Sequence, residues 1–417
     1  MKPFTFVHTA DCHLDTPFAG IGREDPALAT RLREMQRAAF DDLIQLCIDR
    51  EAAFLIIAGD LYDVQERSLT TRVRLRDAFR RLDAAGIRVF LATGNHDNLA
   101  ETQRGLDFPA NVRIFSAERP ETFLWPEDRP VASITGMSYA RREVEENLAA
   151  LFPSPSENLF SIAVLHCNVD GDPAHDNYAP CRRDELVRAG YNYWTLGHVH
   201  ERRILAKRPT TVVYPGCIQG RQIKETGDKG ATVAVVNQQG RVRLEFSPLN
   251  RMEWAEAEVD ASEVESEEEL AELLRARAEN LSAKASPRLE GLIVRWRLVG
   301  SLACDQVAVR NVLQMLRQEA FDRRLFSWPE SIDTSRAVPP IDLNELVADE
   351  SPRGDLVRRV EQIRNDPAAL DNLKGLLLEK AGPPELASEK TAKMPLDEIL
   401  DKALRVGVEL LSRPRER

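Results

Sequence analysis

Short apolar runs punctuate the first 250 residues, and each closes on a polar or glycine-containing turn. Phe4–His8, Phe54–Ala58, Val89–Thr93, Ile162–Leu165 and Trp194–Leu196 read as buried strands. Between the first two, Leu32, Met35, Phe40, Leu43, Ile44, Cys47 and Ile48 recur at helical spacing, and Arg72–Leu82 repeats that pattern less strongly. Thr211–Tyr214, Ala231–Val236 and Val242–Phe246 follow as an expected antiparallel run. The alternation predicts a layered α/β domain over 1–250, with its functional loops at the strand ends.

The pattern changes near residue 251. Met252–Val259 and Gly291–Leu298 predict strands, and Glu267–Glu279 and Asp305–Ala320 predict helices, which makes 251–326 a small α+β domain. The proline-bearing stretch 327–340 breaks the regularity and reads as a linker. Beyond it, 341–417 reads as helical. Leu356, Val360 and Ile363 share one stripe, and Leu396, Ile399, Leu400, Ala403, Leu404 and Leu411 another. Such short amphipathic helices pack on their own domain or on a partner's helix; the pattern leaves both open.

A chain of 417 residues suits two or three domains, and 29% charged with 43% hydrophobic residues is ordinary for a soluble globular protein. There is no apolar run long enough for a membrane helix, and the opening MKPFTFVHTAD reaches an acid too early for a signal peptide. The six cysteines are scattered without a Cys-x-x-Cys pair, which favours reduced thiols and a cytoplasmic protein over disulfides or a thiolate zinc site. A formal charge of −11 argues against coating nucleic acid by bulk attraction. Bound divalent cations would invert that sign locally.

The chemistry gathers at the strand ends. Asp11-Cys-His13 follows the first strand, Gly59-Asp60-Leu-Tyr-Asp63 the second, and Gly94-Asn95-His96-Asp97 the third. The next strand ends at His166, and the last at Gly197-His198-Val-His200. Five of the seven histidines fall at these ends, each beside a carboxylate, amide or glycine. Imidazole with carboxylate suits Mn²⁺, Fe²⁺ or Zn²⁺. Asp11, His13, Asp60, Asn95, His166, His198 and His200 are more donors than one ion needs, and they suit two ions sharing a carboxylate. Glycine before Asp60, Asn95 and His198 lets the backbone approach closely. His8 lies on its strand and reads as core or as a support behind a ligand rather than as a ligand itself. His175 reads as a loop residue, with a substrate contact left open. Cys12 and Cys167 read as inert core.

In this order the five blocks resemble the motif set of the calcineurin-like metallophosphoesterases. The resemblance implies a β-sandwich flanked by helices and a two-metal centre, with Mn most favoured and Fe or Zn as alternatives. By it, Asp11, His13 and His200 hold one metal and Asn95, His166 and His198 the other, with Asp60 bridging. It leaves His96 to act on the substrate, as general acid or charged stabiliser. An imidazole beside two cations can protonate a leaving oxygen near neutral pH, and Asp97 is the expected partner that orients its ring. Asp63 is expected to be structural or to support a ligand from behind.

The opening His8-Thr-Ala-Asp-Cys-His-Leu14 is similar to the start of SbcD-type DNA repair exonucleases, and Asp15-Thr-Pro-Phe18 resembles the YhaO branch of that group. So do Tyr214–Arg221 and Glu225–Gly230. Asp15 stands where the wider group has glycine, and Cys217 where serine is usual. The resemblance implies a Mn-dependent DNA exonuclease or endonuclease acting in DNA repair, with DNA and an SbcC-like coiled-coil ATPase as partners. It also implies a homodimer, through helices near 31–50. Leu396, Leu400, Leu404 and Leu411 become candidate anchors for the ATPase. Arg141, Arg142, Arg202, Arg203, Lys207, Arg208, Arg221 and Lys224 become candidate contacts to the DNA backbone. A small-molecule phosphodiesterase or phosphatase of the same superfamily is the alternative enzyme, and a non-catalytic assembly subunit the alternative outside enzymes.

Overall fold

The computed structural model describes residues 1–63, 69–102, 108–321, 325–338 and 343–380, with Leu400, Ala403, Leu404, Val406, Gly407, Val408 and Leu411 beyond them. The strands of the first 250 residues are β1 (Phe4–Thr9), β2 (Phe54–Ala58), β3 (Arg88–Ala92), β4 (Val112–Ile114), β5 (Glu121–Trp125) and β6 (Ala132–Met137). They continue with β7 (Phe160–His166), β8 (Tyr193–Gly197), β9 (Arg203–Ala206), β10 (Thr211–Tyr214), β11 (Gly230–Val236) and β12 (Val242–Pro248). They form two six-stranded sheets, ordered β12-β11-β1-β2-β3-β4 and β5-β6-β7-β8-β10-β9. β1 to β4 run parallel, as do β6, β7, β8 and β10, while antiparallel strands close the remaining edges.

The two sheets pack face to face, as the period-2 geometry of a strand requires. Phe6, Phe54, Ile56 and Phe90 point inward against Ile134, Ile162, Val164 and Tyr193 of the second sheet. Their chain neighbours Val7, Leu55, Ile57, Val89 and Leu91 point outward onto Phe40, Leu43, Ile44, Phe79 and Leu82 of helices Pro26–Asp49 and Leu69–Ala84. Both faces are covered, which is why these strands read as continuous apolar runs. Each buried side chain of this size contributes about 1.5–3 kcal/mol. Helix Pro26–Asp49 starts on Asp25, whose side chain accepts from Leu28 N at 2.8 Å, with proline in the first turn.

The sequence pattern missed β4, β5, β6 and β9. β6 (ASITGM) is buried throughout but reads as small and polar. Its hydroxyls are satisfied across the sheet, Ser133 with Ser161 at 3.0 Å and Thr135 with Thr122 at 2.9 Å. One grouping is corrected. Thr211–Tyr214 does not join the antiparallel run of β11 and β12; it lies in the other sheet, parallel to β8 and antiparallel to β9.

After residue 250 come β13 (Met252–Asp260), β14 (Gly291–Ser301) and β15 (Phe326–Val338), in that sheet order, with helices Glu267–Lys284 and Gln306–Gln318 between them. The expected linker at 327–340 is therefore mostly strand. Pro329 falls on β15, an edge strand, which is where a sheet accommodates proline. The chain divides into two compact units. One holds Met1–Glu256, Asn280–Arg295 and Glu319–Glu330; the other holds Ala257–Glu279, Trp296–Gln318 and Ser331–Arg417.

In the second unit helices Leu343–Val347, Pro352–Arg364 and Pro367–Lys380 are followed by helical positions from Leu400. Leu400, Leu404 and Val408 are buried with Val357 and Val360. Two of the four candidate partner anchors, Leu400 and Leu404, are thus spent on the chain's own core. Leu411 is exposed, and Leu396 lies outside the described residues.

Candidate metal centre

The strand ends converge. β1, β2 and β3 run parallel and release Asp11 and His13, Asp60 and Asp63, and Asn95, His96 and Asp97, while β7 and β8 run parallel and release His166, His198 and His200. The two sets meet where His166 Nδ1 lies 3.0 Å from Ala58 O, at the end of β2. The loops brace one another, with Asp11 N donating to Gly59 O at 3.1 Å and His13 N to Asp60 O at 2.9 Å. Gln36 reaches from the long helix and donates to the carbonyls of Cys12 and His13 at 3.0 and 2.8 Å.

The backbone is strained where the donors sit. Asp11, His13, Asp60 and His198 have φ of 51°, 44°, 53° and 103°, a region that costs a side-chain-bearing residue about 1–3 kcal/mol. Gly59, at φ 94°, shows the crowding, since a Cβ there would lie 2.3 Å from His166 Nδ1. At Gly94 it would lie 2.3 Å from Asp60 Oδ1.

Asp60 stands in the middle. Its Oδ2 is 3.5 Å from His13 Nε2 and 3.6 Å from His166 Nε2. His13 Nε2 is 3.2 Å from His200 Nε2, and His166 Nε2 is 3.0 Å from Asn95 Oδ1. Asp11, His13 and His200 have donor atoms within 4.8 Å of one another, as do Asp11, Asp60 and His166, and His13, Asp60 and His96. His198 belongs to none of these groups. Its backbone N–H donates to both Asp11 carboxylate oxygens, at 3.0 and 3.1 Å, and its ring packs on His166 at 5.2 Å.

The hydrogen bonds set the tautomers. His13 donates Nδ1–H to Asp63 Oδ1 at 2.9 Å, His200 Nδ1–H to Glu225 Oε1 at 2.8 Å, and His166 Nδ1–H to Ala58 O. His198 donates Nε2–H to Asp176 O at 2.7 Å. Each ring spends its proton on an outer acceptor and keeps the other nitrogen bare, the form a metal ligand needs. His13 Nε2 and His200 Nε2, 3.2 Å apart, are placed to take one cation between them. The donor set fits divalent metal.

Electrostatics agree. Burial pushes His13, His166 and His198 down to about 3, so these imidazoles are neutral. Asp11 is pushed well up, first by burial and then by the charge of Asp60. Crowded buried carboxylates of this kind are relieved by a bound cation.

The expected partner of His96 is corrected. His96 Nδ1 lies 2.9 Å from Asp63 Oδ1, the same oxygen that holds His13. Burial disfavours the His96 imidazolium, yet the Asp63 bond and the charges of Asp60 and Asp63 outweigh it and raise the group above its ordinary range. Asp97 instead accepts backbone N–H groups from Asp60, Leu61 and Gly94 at 3.1, 2.7 and 2.7 Å, so it ties two loops together. Burial and the charge of Asp60 push Asp97 up to about 7. Motif order shows that both aspartates are near; only the fold shows which one faces the ring.

The motif reading assigned Glu225 no role, and nothing in its spacing marks it as the partner of His200. Arg221 sits inside the site, 3.3 Å from His200 Nδ1 and 3.3 Å from Thr16 Oγ1. Among the other basic candidates, Arg203 pairs with Asp172 and Glu201, Arg141 pairs with Glu146, and Arg202 lies over the Phe246 ring. His8 is core, with Tyr193 OH and Leu196 O each at 3.3 Å. Asp15, at φ 69°, accepts from Arg37 and Thr71 in the interior, so it meets a backbone that glycine would otherwise serve. A cleft of about 300 Å³ opens over the site, lined by Asp60, Asn95, His96, His175, His198 and His200 among others.

A family model described as calcineurin-like phosphoesterase matches residues 4–202, and one described as metallophosphoesterase YhaO, middle domain, matches residues 254–334. The chain is 35% identical over 339 residues to the uncharacterized metallophosphoesterase YhaO of Bacillus subtilis, covering 80% of this chain and 82% of that one. It is 25% identical over 248 residues to the DNA double-strand break repair protein Mre11 of Sulfurisphaera tokodaii, covering 56% of this chain and 60% of that one. Against the Mre11 of Aeropyrum pernix it is 26% identical over 245 residues, covering 55% and 57%.

Proposed function

The chain belongs to the calcineurin-like metallophosphoesterases, and on that premise we propose that it is a DNA phosphodiesterase, an exonuclease or endonuclease of DNA repair that works with two divalent cations. The observation that carries this is the ring of imidazoles around Asp60, each with one ring nitrogen held by an outer acceptor. Asp11, His13 and His200 would hold one cation, and Asn95, His166 and His198 the other, with Asp60 shared. Donors of this mixture suit Mn²⁺, with Fe²⁺ and Zn²⁺ as competitors. The similarity to proteins named for double-strand break repair supports DNA as the substrate.

When bound, the cations supply a water activated for attack and charge that neutralises the phosphoryl oxygens. The chain's own residues do the rest. Asp63 holds His96 Nδ1 and leaves Nε2 toward the cleft, where the imidazolium hands a proton to the departing 3′-oxygen. Arg221 stands close enough to add positive charge as the phosphodiester enters. The 341–417 region would bind an SbcC-like ATPase through exposed positions such as Leu411, and the protein would work as a cytoplasmic homodimer. Among the described residues no helix is long and apolar enough to cross a membrane.

The test compares single- and double-stranded DNA with bis(p-nitrophenyl) phosphate in Mn²⁺, using wild type and His96→Ala. The wild type should carry two metals per chain and cut DNA; the variant should keep both metals and lose cleavage. Loss of manganese in that variant would move His96 into the donor set, where its distance to His13 and Asp60 also admits it. Charge favours a small-ester phosphodiesterase: the net charge is −11, and the candidate DNA contacts Arg203 and Arg141 are already paired with acids. Activity on the small ester alone, with the ATPase partner added, would select that reading.

A further inference from the structure

The cleft has a second imidazole that the donor set does not use. His175 lies in the loop between β7 and helix Arg183–Arg188, and the loop is firmly built. Asn168 Nδ2 donates to the carbonyls of Asp172 and Asp176, each at 3.2 Å, and its Oδ1 accepts from Asp172 N at 2.8 Å. The Asp172 carboxylate pairs with Arg203, and Asp176 O takes the His198 proton. His175 N closes the turn onto Asp172 O at 3.2 Å.

This frame holds the His175 ring over the site. Its centroid is 5.4 Å from that of His198 and 5.7 Å from that of His200. His96 packs instead on His13, at 4.7 Å. The two unassigned rings therefore border the cleft beside different donors. His175 belongs to none of the three groups of converging donor atoms. It also differs from the other histidines in its bonding: among the described residues neither of its ring nitrogens meets a protein partner, although the ring is half-buried and lines the cleft. A packing histidine commonly spends a nitrogen on the protein, as His8 spends both. Both nitrogens of His175 remain for a ligand.

We propose that His175 is a substrate-binding residue whose ring N–H donates to a non-bridging oxygen of the bound phosphate, on the His198 and His200 side of the cleft. The assignment rests on the phosphodiesterase reading and names a contact within it. A hydrogen bond to an anionic oxygen is worth about 1.5–3 kcal/mol, or roughly 10- to 150-fold in affinity.

The experiment uses the full chain loaded with Mn²⁺, as wild type, His175→Ala and His175→Gln. It measures manganese content, the dissociation constant for inorganic phosphate by calorimetry, and KM and kcat on bis(p-nitrophenyl) phosphate. His175→Ala should keep its manganese and weaken phosphate by about tenfold or more, raising KM more than it lowers kcat. His175→Gln, which retains an N–H donor, should recover part of the loss. Unchanged phosphate affinity and KM in His175→Ala would overturn the contact. So would loss of manganese, which would make His175 a ligand. If the wild type binds phosphate but hydrolyses no diester, the phosphodiesterase reading fails while the phosphate ratio still decides His175. A wild type that binds no phosphate overturns both.

Discussion

Asp63 Oδ1 lies 2.9 Å from His96 Nδ1, and the same oxygen lies 2.9 Å from His13 Nδ1. One carboxylate thus orients an imidazole of the candidate donor set and an imidazole that lines the cleft. Its acidity reflects both: burial would raise it, but the two rings and Arg221 hold Asp63 well below the usual carboxylate range.

Asp63→Asn should therefore damage two functions separably. Losing the anion behind His13 should weaken manganese by about 10- to 100-fold. Losing it behind His96 should lower kcat by about 10²–10⁴. Saturating manganese should restore occupancy but not rate. A full recovery of kcat at high manganese would show that Asp63 acts through the metal alone.

Metal should also stabilise the fold. Asp11 and Asp60 are buried close together, and burial with the charge of Asp60 raises the Asp11 carboxyl, so a bound cation would relieve the crowding. Manganese at about 100 times its dissociation constant should add roughly 2.7 kcal/mol per site. Chelator-treated protein should melt at a lower temperature than manganese-loaded protein, and Asp60→Ala should abolish the difference. A melting curve indifferent to manganese in the wild type would contradict the shared site.

Glu225 is the outer partner of His200, at 2.8 Å. Burial would raise its carboxyl, yet the His200 bond and the nearby Arg221 hold it well below the ordinary range. Glu225→Gln keeps the size but loses the charge, and should weaken manganese by about 10- to 100-fold with little change in the fold. Competition with a metal chelator measures this directly. Wild-type affinity in the variant would reduce Glu225 to a loop brace.

Leu404 distinguishes self-packing from partner binding in the C-terminal region. It is 1% exposed and packs with Val357, Val360 and Val408. Leu404→Ala should cost about 2–5 kcal/mol within that unit, read by hydrogen exchange on helix Pro352–Arg364. Unchanged exchange would return Leu404 to the pool of partner anchors.

The strands that carry the candidate chemistry were legible in the sequence, together with the polar groups at their ends. They were legible because buried parallel strands are apolar on successive positions, and because imidazole, carboxylate and glycine at those ends have few other uses. The sequence pattern misplaced Thr211–Tyr214 and the strand at 326–338, because pairing is a choice between partners distant in the chain and an edge position forgives a proline. The pairing among those groups was visible in the fold alone. Asp63 rather than Asp97 faces His96, Glu225 backs His200, and the His175 ring lies over the cleft without a protein partner. The cause is range. A hydrogen bond is settled within about 3 Å, and groups that meet at that distance here come from loops as far apart in the chain as Asp11 and His198.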